Sequence, residues 1–196
     1  MKVQDLGLTG LKLVHFDLNP DPKEPECEYR GVFGVGWSKT KFADAGLVTP
    51  DWQQLNVVCN ERFTVRAFHA EPWGKYVFVP QGLALGMWVD VRPDSETFSL
   101  FVEHELSFGH AVYVPPGIAN GYYTEDQDSI YIYLTTQEWF PGKHPCFNWK
   151  DPDICHLQSG QPIRWLAGFP YRIKRADREA PLLRDLFPDH PRFAKH

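Results

Sequence analysis

The 196-residue chain has no excess of positive charge: 20 Lys and Arg stand against 25 Asp and Glu, for a net charge of −5. A general nucleic-acid binder needs a basic face, so that class is excluded, while a local cluster of Arg and Lys around an anionic ligand is not. No apolar run approaches the length of a membrane span. The first ten residues carry Asp5 and no apolar stretch, so no secretory leader is expected. The four cysteines, Cys27, Cys59, Cys146 and Cys155, form no CxxC pair, which argues against a zinc ribbon. They are expected to be reduced thiols in a cytosolic protein. Repeats, low-complexity tracts and obvious linkers are missing, and a single domain over residues 1–196 is expected.

Histidines spaced for a metal are missing too. A metal centre on a β-barrel takes a pair of His at i, i+2, which places both on one face of a strand. His104 and His110 are the nearest pair and lack that spacing, so surface polarity is their expected role and no metal site is expected. Gly34-Val-Gly36 precedes no GK[ST] and is not a phosphate loop.

What the chain does have is aromatics, at 15%, within 43% hydrophobic residues. These favour strands and rule out disorder. Short apolar runs are broken by turn residues: Leu55–Cys59, Phe63–Ala70, Lys75–Val79, Ala84–Val91, Thr97–Val102, Ala111–Val114 and Ser129–Thr135. In the last, Tyr131 and Tyr133 share one face and Ile130, Ile132 and Leu134 the other. Turn signals fall at Pro72-Trp-Gly74, Pro80-Gln-Gly82, Arg92-Pro-Asp94 and Pro115-Pro-Gly117. Strands and turns without intervening helices predict an all-β sandwich, jelly roll or barrel. Only Lys39–Ala45 and the stretch from Asp177 to Leu186 read as short helices, and residues 19–28, polar and Pro-rich, read as a surface loop.

Several phrases, taken in order, resemble the dTDP-4-dehydrorhamnose 3,5-epimerase family. They are Arg30-Gly-Val-Phe33, Gln54-Leu-Asn56, Val65-Arg-Ala-Phe-His69, Gly74-Lys75, Val89-Asp-Val-Arg92 with Ser95-Glu-Thr-Phe98, Val114-Pro-Pro-Gly-Ile-Ala-Asn-Gly121, Trp149-Lys-Asp-Pro152 and Asp177-Arg-Glu-Ala-Pro181. Each phrase alone is weak; the ordered set runs from about Val3 to Leu183. The resemblance implies an all-β, cupin-type jelly-roll barrel with short peripheral helices, usually a homodimer. It implies action on a nucleotide-diphosphate 4-keto-6-deoxy sugar with no metal or organic cofactor.

Such a reaction removes a proton beside a ketone, passes through an enolate and reprotonates the opposite face. It needs a base, a group for the enolate oxygen and an acid. Imidazole titrates near neutrality, so His69 is the candidate base, against the reading of a barrel His that satisfies a carbonyl. The resemblance favours the base. It also makes Asp177 the residue that orients His69, where local sequence suggests a helix N-cap. Lys75 would hold the enolate oxygen, against the reading of a solvated turn lysine. Arg66 suits phosphate, but strict alternation puts it opposite His69 unless the strand bulges. Gln54, Asn56, Arg30, Phe33, Trp139, Tyr133 and Asn120 complete the candidate substrate-binding set.

Four positions depart from the family pattern. Where the family's acid Tyr is expected, Thr136-Gln-Glu-Trp-Phe-Pro141 carries Trp139, and indole donates no proton as phenol does. Tyr131, Tyr133, Glu138 or a water then supplies the proton, or one centre alone is inverted, or activity is lost and a sugar-nucleotide binder remains. Trp139 itself reads as an aromatic wall. Val35 replaces a Glu near the base site and opens the choice among dTDP, CDP and GDP. Asn120 stands for a His and Ala67 for a Gly.

Overall fold

A computed structural model describes residues 1–20, 31–47, 50–141, 144–163 and 170–193. Its elements run β1 Lys2–Asp5, β2 Lys12–His15, β3 Asp17–Pro20, β4 Val32–Val35, α1 Lys39–Asp44, β5 Gln54–Asn60, β6 Thr64–His69, β7 Lys75–Gln81, β8 Ala84–Asp90, β9 Leu100–Leu106, β10 His110–Val114, β11 Ile118–Thr124, β12 Ser129–Thr135, β13 Cys155–His156, β14 Arg172–Ile173, α2 Arg175–Arg178 and α3 Leu183–Leu186. One six-stranded sheet has the order β1-β2-β10-β7-β12-β5, a second the order β13-β9-β8-β11-β6-β14, and β3-β4 form a separate ribbon. This is the jelly roll expected from the sequence, with short helices at its periphery. No described helix is long and apolar enough to cross a membrane.

Three apolar layers hold the sheets. Between them pack Leu13, Val77, Val79, Trp88, Leu106, Val112, Tyr122 and Tyr131. The outer face of the first sheet is covered by Phe42 of α1 against Tyr76, rings 5.1 Å apart. The outer face of the second carries Val65, Ala67, Phe68, Met87 and Val89 under Phe147, Trp149, Ile154 and Leu183. That last cover comes from the C-terminal third and is tied down by polar bonds. The buried Asp151 carboxylate accepts from the Leu183 amide at 2.5 Å and the Asp153 amide at 2.9 Å, while Asn148 donates to the Arg178 carbonyl at 3.0 Å.

The expected run Thr97–Val102 begins later, at Leu100. Asp90, fully buried, accepts from Arg92, Ser95 Oγ at 2.7 Å and Thr97 Oγ1 at 2.6 Å. These bonds fold residues 91–99 into a turn and hold the carboxylate below its usual range: burial acts to raise it, and the Arg92, Thr97 and Ser95 hydrogen bonds outweigh that. The Asp-Val-Arg…Ser-x-Thr phrase is therefore a structural clasp. The predicted last helix is two, α2 and α3, parted around Pro181, which cannot donate within a helix.

His104 and His110 are not solvated surface polarity. The His110 ring lies 5.1 Å from His15 and 5.7 Å from His104, so the three bridge the two sheets. His15 Nε2 and His110 Nδ1 are buried with no hydrogen-bond partner among the described residues.

One irregularity positions the site. β11 pairs Asn120 with His69 but Tyr122 with Arg66, so Gly121 alone faces Ala67 and Phe68. With that extra residue, Val65, Ala67 and Phe68 all face the outer core while Arg66 and His69 both turn inward. The bulge that would let Arg66 and His69 share one face is present. Gly121 leaves the necessary room: a Cβ there would lie 2.9 Å from the Phe68 ring and 3.2 Å from the Arg66 carbonyl. Gly121→Ala is expected to cost about 1–3 kcal/mol through overpacking, read as a lower urea midpoint with unchanged slope. A midpoint equal to wild type would mean that the glycine is not needed there.

Candidate active site

A cavity of about 300 Å³ opens between the sheets, lined by Arg66, His69, Glu71, Lys75, Asn120, Tyr122, Tyr131, Tyr133, Trp139, Lys174 and Asp177, with Val58. From β6 come Arg66 and His69. Their strand is extended on its far side by β14, which runs parallel with Ile173 opposite Val65. α2 follows at once, and four residues after Ile173 the chain delivers Asp177 beside His69, four residues after Val65. Asp177 is the third residue of α2, not its cap; Lys174 takes that place. His69 Nε2 lies 3.4 Å from Asp177 Oδ1, with the imidazole 43% exposed and the carboxylate 8%.

Burial acts to lower the basicity of His69, but the hydrogen bonds and charges of Asp177 and Cys146 outweigh it and raise its pKa to about 9. Cys146 is the direct antiparallel partner of His69. The flanking bonds, Ala70 N to Pro145 O at 2.8 Å and Phe147 N to Phe68 O at 3.3 Å, make 69 and 146 a non-hydrogen-bonded pair, whose side chains stand closest.

Lys75 is no solvated turn residue. It opens β7, is 8% exposed, and its ammonium lies 2.5 Å from Glu71 and 5.8 Å from the Tyr133 ring centroid. Arg66 Nε donates to Asn60 at 3.0 Å.

Three tyrosines line the wall. Tyr122 and Tyr131 stack at 4.0 Å, and their hydroxyls donate to Asn60 and Asn120 at 3.2 and 3.3 Å. The Tyr133 hydroxyl makes no hydrogen bond among the described residues. Its pKa is raised by burial, then by the Glu71 charge, with Arg66 opposing. Trp139 is 62% exposed at the rim, and its backbone amide donates to Gln54 Oε1 at 2.8 Å. Gln54 Nε2 donates in turn to Asn56 at 2.6 Å, so these two hold the Trp139 loop and do not line the cavity. Phe33 does not line it either: it is 63% exposed on the β3–β4 ribbon, which also carries Val35. Arg30 and Cys27 lie outside the described residues.

Sequence reasoning missed Glu71, Lys174 and Cys146. The first had a signal, since Glu71 is two residues beyond His69 and four before Lys75. Cys146 had none, because its place depends on a bridge across 77 positions.

The cavity of this jelly roll joins an imidazole–carboxylate pair to a buried ammonium. A sequence model described as dTDP-4-dehydrorhamnose 3,5-epimerase matches residues 21–185. A curated relative named dTDP-4-dehydrorhamnose 3,5-epimerase, from Sinorhizobium fredii, is 30% identical over 194 residues, 95% of this chain and 91% of its own. A Streptococcus pyogenes RmlC homolog is 30% identical over 171 residues, 83% of each chain. Among solved structures, RmlC from Streptococcus suis in complex with dTDP-D-xylose superposes with a TM-score of 0.80 at 25% identity, over 98% of this chain and 96% of that one. The chain belongs to the dTDP-4-dehydrorhamnose 3,5-epimerase family.

In a ring-proton NMR titration His69 is expected to titrate near pH 9, and Asp177→Asn to bring that midpoint down. The sign follows from the lost carboxylate, which favours the charged imidazolium. An unchanged midpoint in the variant would show that Asp177 does not set the basicity.

Proposed function

We propose that the protein inverts C3, C5 or both of a nucleotide-diphosphate 4-keto-6-deoxy sugar by His69-mediated proton abstraction through an enolate. The observation that carries it is the His69–Asp177 contact of 3.4 Å on the wall of a cavity whose opposite sheet supplies Lys75 and Tyr133. A ring held between the sheets turns one face to each.

The neutral imidazole, a minor fraction below the His69 pKa of about 9, is the reacting form: with its Nε2 proton held by Asp177, the lone pair of Nδ1 takes the proton from carbon. The C–H electrons move into the enolate, whose oxygen develops charge beside the Lys75 ammonium. Tyr133 gives its hydroxyl proton to the far face of the carbon; solvent then returns a proton to the phenolate and takes the one held by His69. Among the donors left open by the sequence, Tyr131 is committed to Asn120, and Glu138 is exposed and does not line the cavity. A free phenol at Tyr133 removes the need for one at Trp139, which supports activity over an impaired sugar-nucleotide binder. Trp139 instead serves as a wall for the sugar. Arg66 and Lys174 are the cations for the diphosphate. The Streptococcus suis neighbour, solved with a dTDP sugar, makes dTDP the first nucleotide to try, with CDP and GDP after it.

Incubation with such 4-keto sugars in heavy water, followed by NMR, is expected to show deuterium at C3 or C5 with inversion. His69→Ala is expected to lose exchange at both carbons by at least about 100-fold, in line with removal of a general base. Tyr133→Phe is expected to keep exchange and lose inversion. Wild-type protein that binds these sugars without exchange sinks the reading. Equal loss of both activities in Tyr133→Phe makes that residue structural.

We also infer a homodimer. Among the described residues β5 is the last strand of its sheet, and Leu55 and Val57, 56% and 58% exposed, share its outer face. A second copy of the chain would cover both. Light scattering is expected to give twice the chain mass, with Leu55→Lys/Val57→Lys shifting it to the monomer. Monomeric wild-type protein refutes this.

A further inference from the structure

His69, Cys146 and Asp177 each turn one ligand atom to a common point, and the three atoms lie within 4.8 Å of one another. We propose that this cluster is a reversible inhibitory site for a thiophilic divalent cation of the Zn²⁺ type.

The donor set is an imidazole, a thiol and a carboxylate. That mixture suits zinc and its borderline neighbours and is poor for Mg²⁺ or Ca²⁺, which take oxygen alone. The spacing agrees. The His69–Asp177 separation of 3.4 Å is long for a charge-assisted hydrogen bond. It matches the edge of a tetrahedron of ligands at about 2.0–2.1 Å from a zinc ion, which is roughly 3.3–3.4 Å. Cys146 closes a second edge because the Ala70–Pro145 and Phe147–Phe68 backbone bonds hold it directly opposite His69. Behind it, the Phe147 ring stacks on Phe68 at 5.1 Å, so the bridge is braced by the outer core. The fourth position opens to the cavity, as in zinc sites with three protein ligands and a water. The donors come from β6, its bridge partner and α2, an arrangement unrelated to the paired-His centre sought in the sequence.

Such an ion takes the place of the proton shared by His69 and Asp177. With Nε2 on the metal and the ring's proton on Nδ1, the imidazole has no lone pair left for a substrate proton. Binding also displaces the thiol proton, so Cys146 enters as thiolate.

The test uses the reduced, metal-free full chain. Co²⁺ is titrated as a spectroscopic stand-in, followed by Zn²⁺ to displace it. One Co²⁺ per chain is expected, with tetrahedral visible bands and a thiolate-to-cobalt band in the near ultraviolet. Cys146→Ser is expected to lose that band and bind at least tenfold more weakly, and His104→Gln and His110→Gln to bind as wild type. Absence of the thiolate band in wild type, equal affinity in Cys146→Ser, or loss of binding in the His104 or His110 variants overturns the site. The spectra decide this on the protein alone. The inhibitory consequence rests on the epimerase reading: Zn²⁺ is expected to stop deuterium exchange and EDTA to restore it. Exchange undiminished in the zinc-loaded protein overturns inhibition while leaving both the site and the reaction standing.

Discussion

The extra residue in β6 is the constraint on which the rest of the site depends. A strand with strict alternation sends its third and sixth residues to opposite faces, yet Arg66 and His69 line one cavity. Placing Ala67 and Phe68 together against Gly121 resolves this. It also puts the Phe68 ring, fully buried, into the outer core against Phe147. Removing the bulge would force either His69 out of the cavity or Phe68 into it. The chemistry and the packing of the second sheet are thus two results of one backbone irregularity.

The same strand organises the C-terminal third. β14 adds in parallel to its free side, the Pro145–Phe147 segment closes on its end, and α2 packs beside it. Asp151 and Asn148 then lock residues 144–163 to α3 and α2 through a buried and an exposed hydrogen bond. Asp177 is held near His69 by this scaffold and not by its own short helix, which is too brief to persist alone.

Much of this was legible. The period-two pattern of β12 is plain in the sequence, whereas β5 alternates with its apolar Leu55 and Val57 on the exposed face, which its sequence does not show. The need for a bulge between Arg66 and His69 followed from counting faces. What was hidden depended on pairings across long separations. β1 to β4 are four-residue strands whose partners make them strands, so their local sequence gives little signal. The start of the Thr97–Val102 run looks like strand until the buried Asp90, bonded to Thr97, folds it into a turn. Lys75 after Trp73-Gly74 reads as a surface lysine because its spacing from Glu71, though visible, does not show that the pair lies in a buried wall. His15, His104 and His110 come from three strands on two sheets, so no spacing rule finds them.

Two carboxylates of the cavity stand beside two of its basic groups, and this bears on the proposed reaction. Glu71 balances Lys75, and Asp177 lies beside His69, whose neutral form is the one that reacts. Buried charge without a partner is costly, so pairing lets the cavity exist before any ligand arrives. Moving a proton from carbon to His69 creates one negative and one positive charge without changing the total. The negative charge develops on the oxygen near Lys75, the positive on the ring held by Asp177. Each new charge thus forms beside its opposite, in side chains already fixed by a strand end, a bridge and a helix. Little reorganisation is left for the transition state, which is where such preorganised groups lower a barrier most.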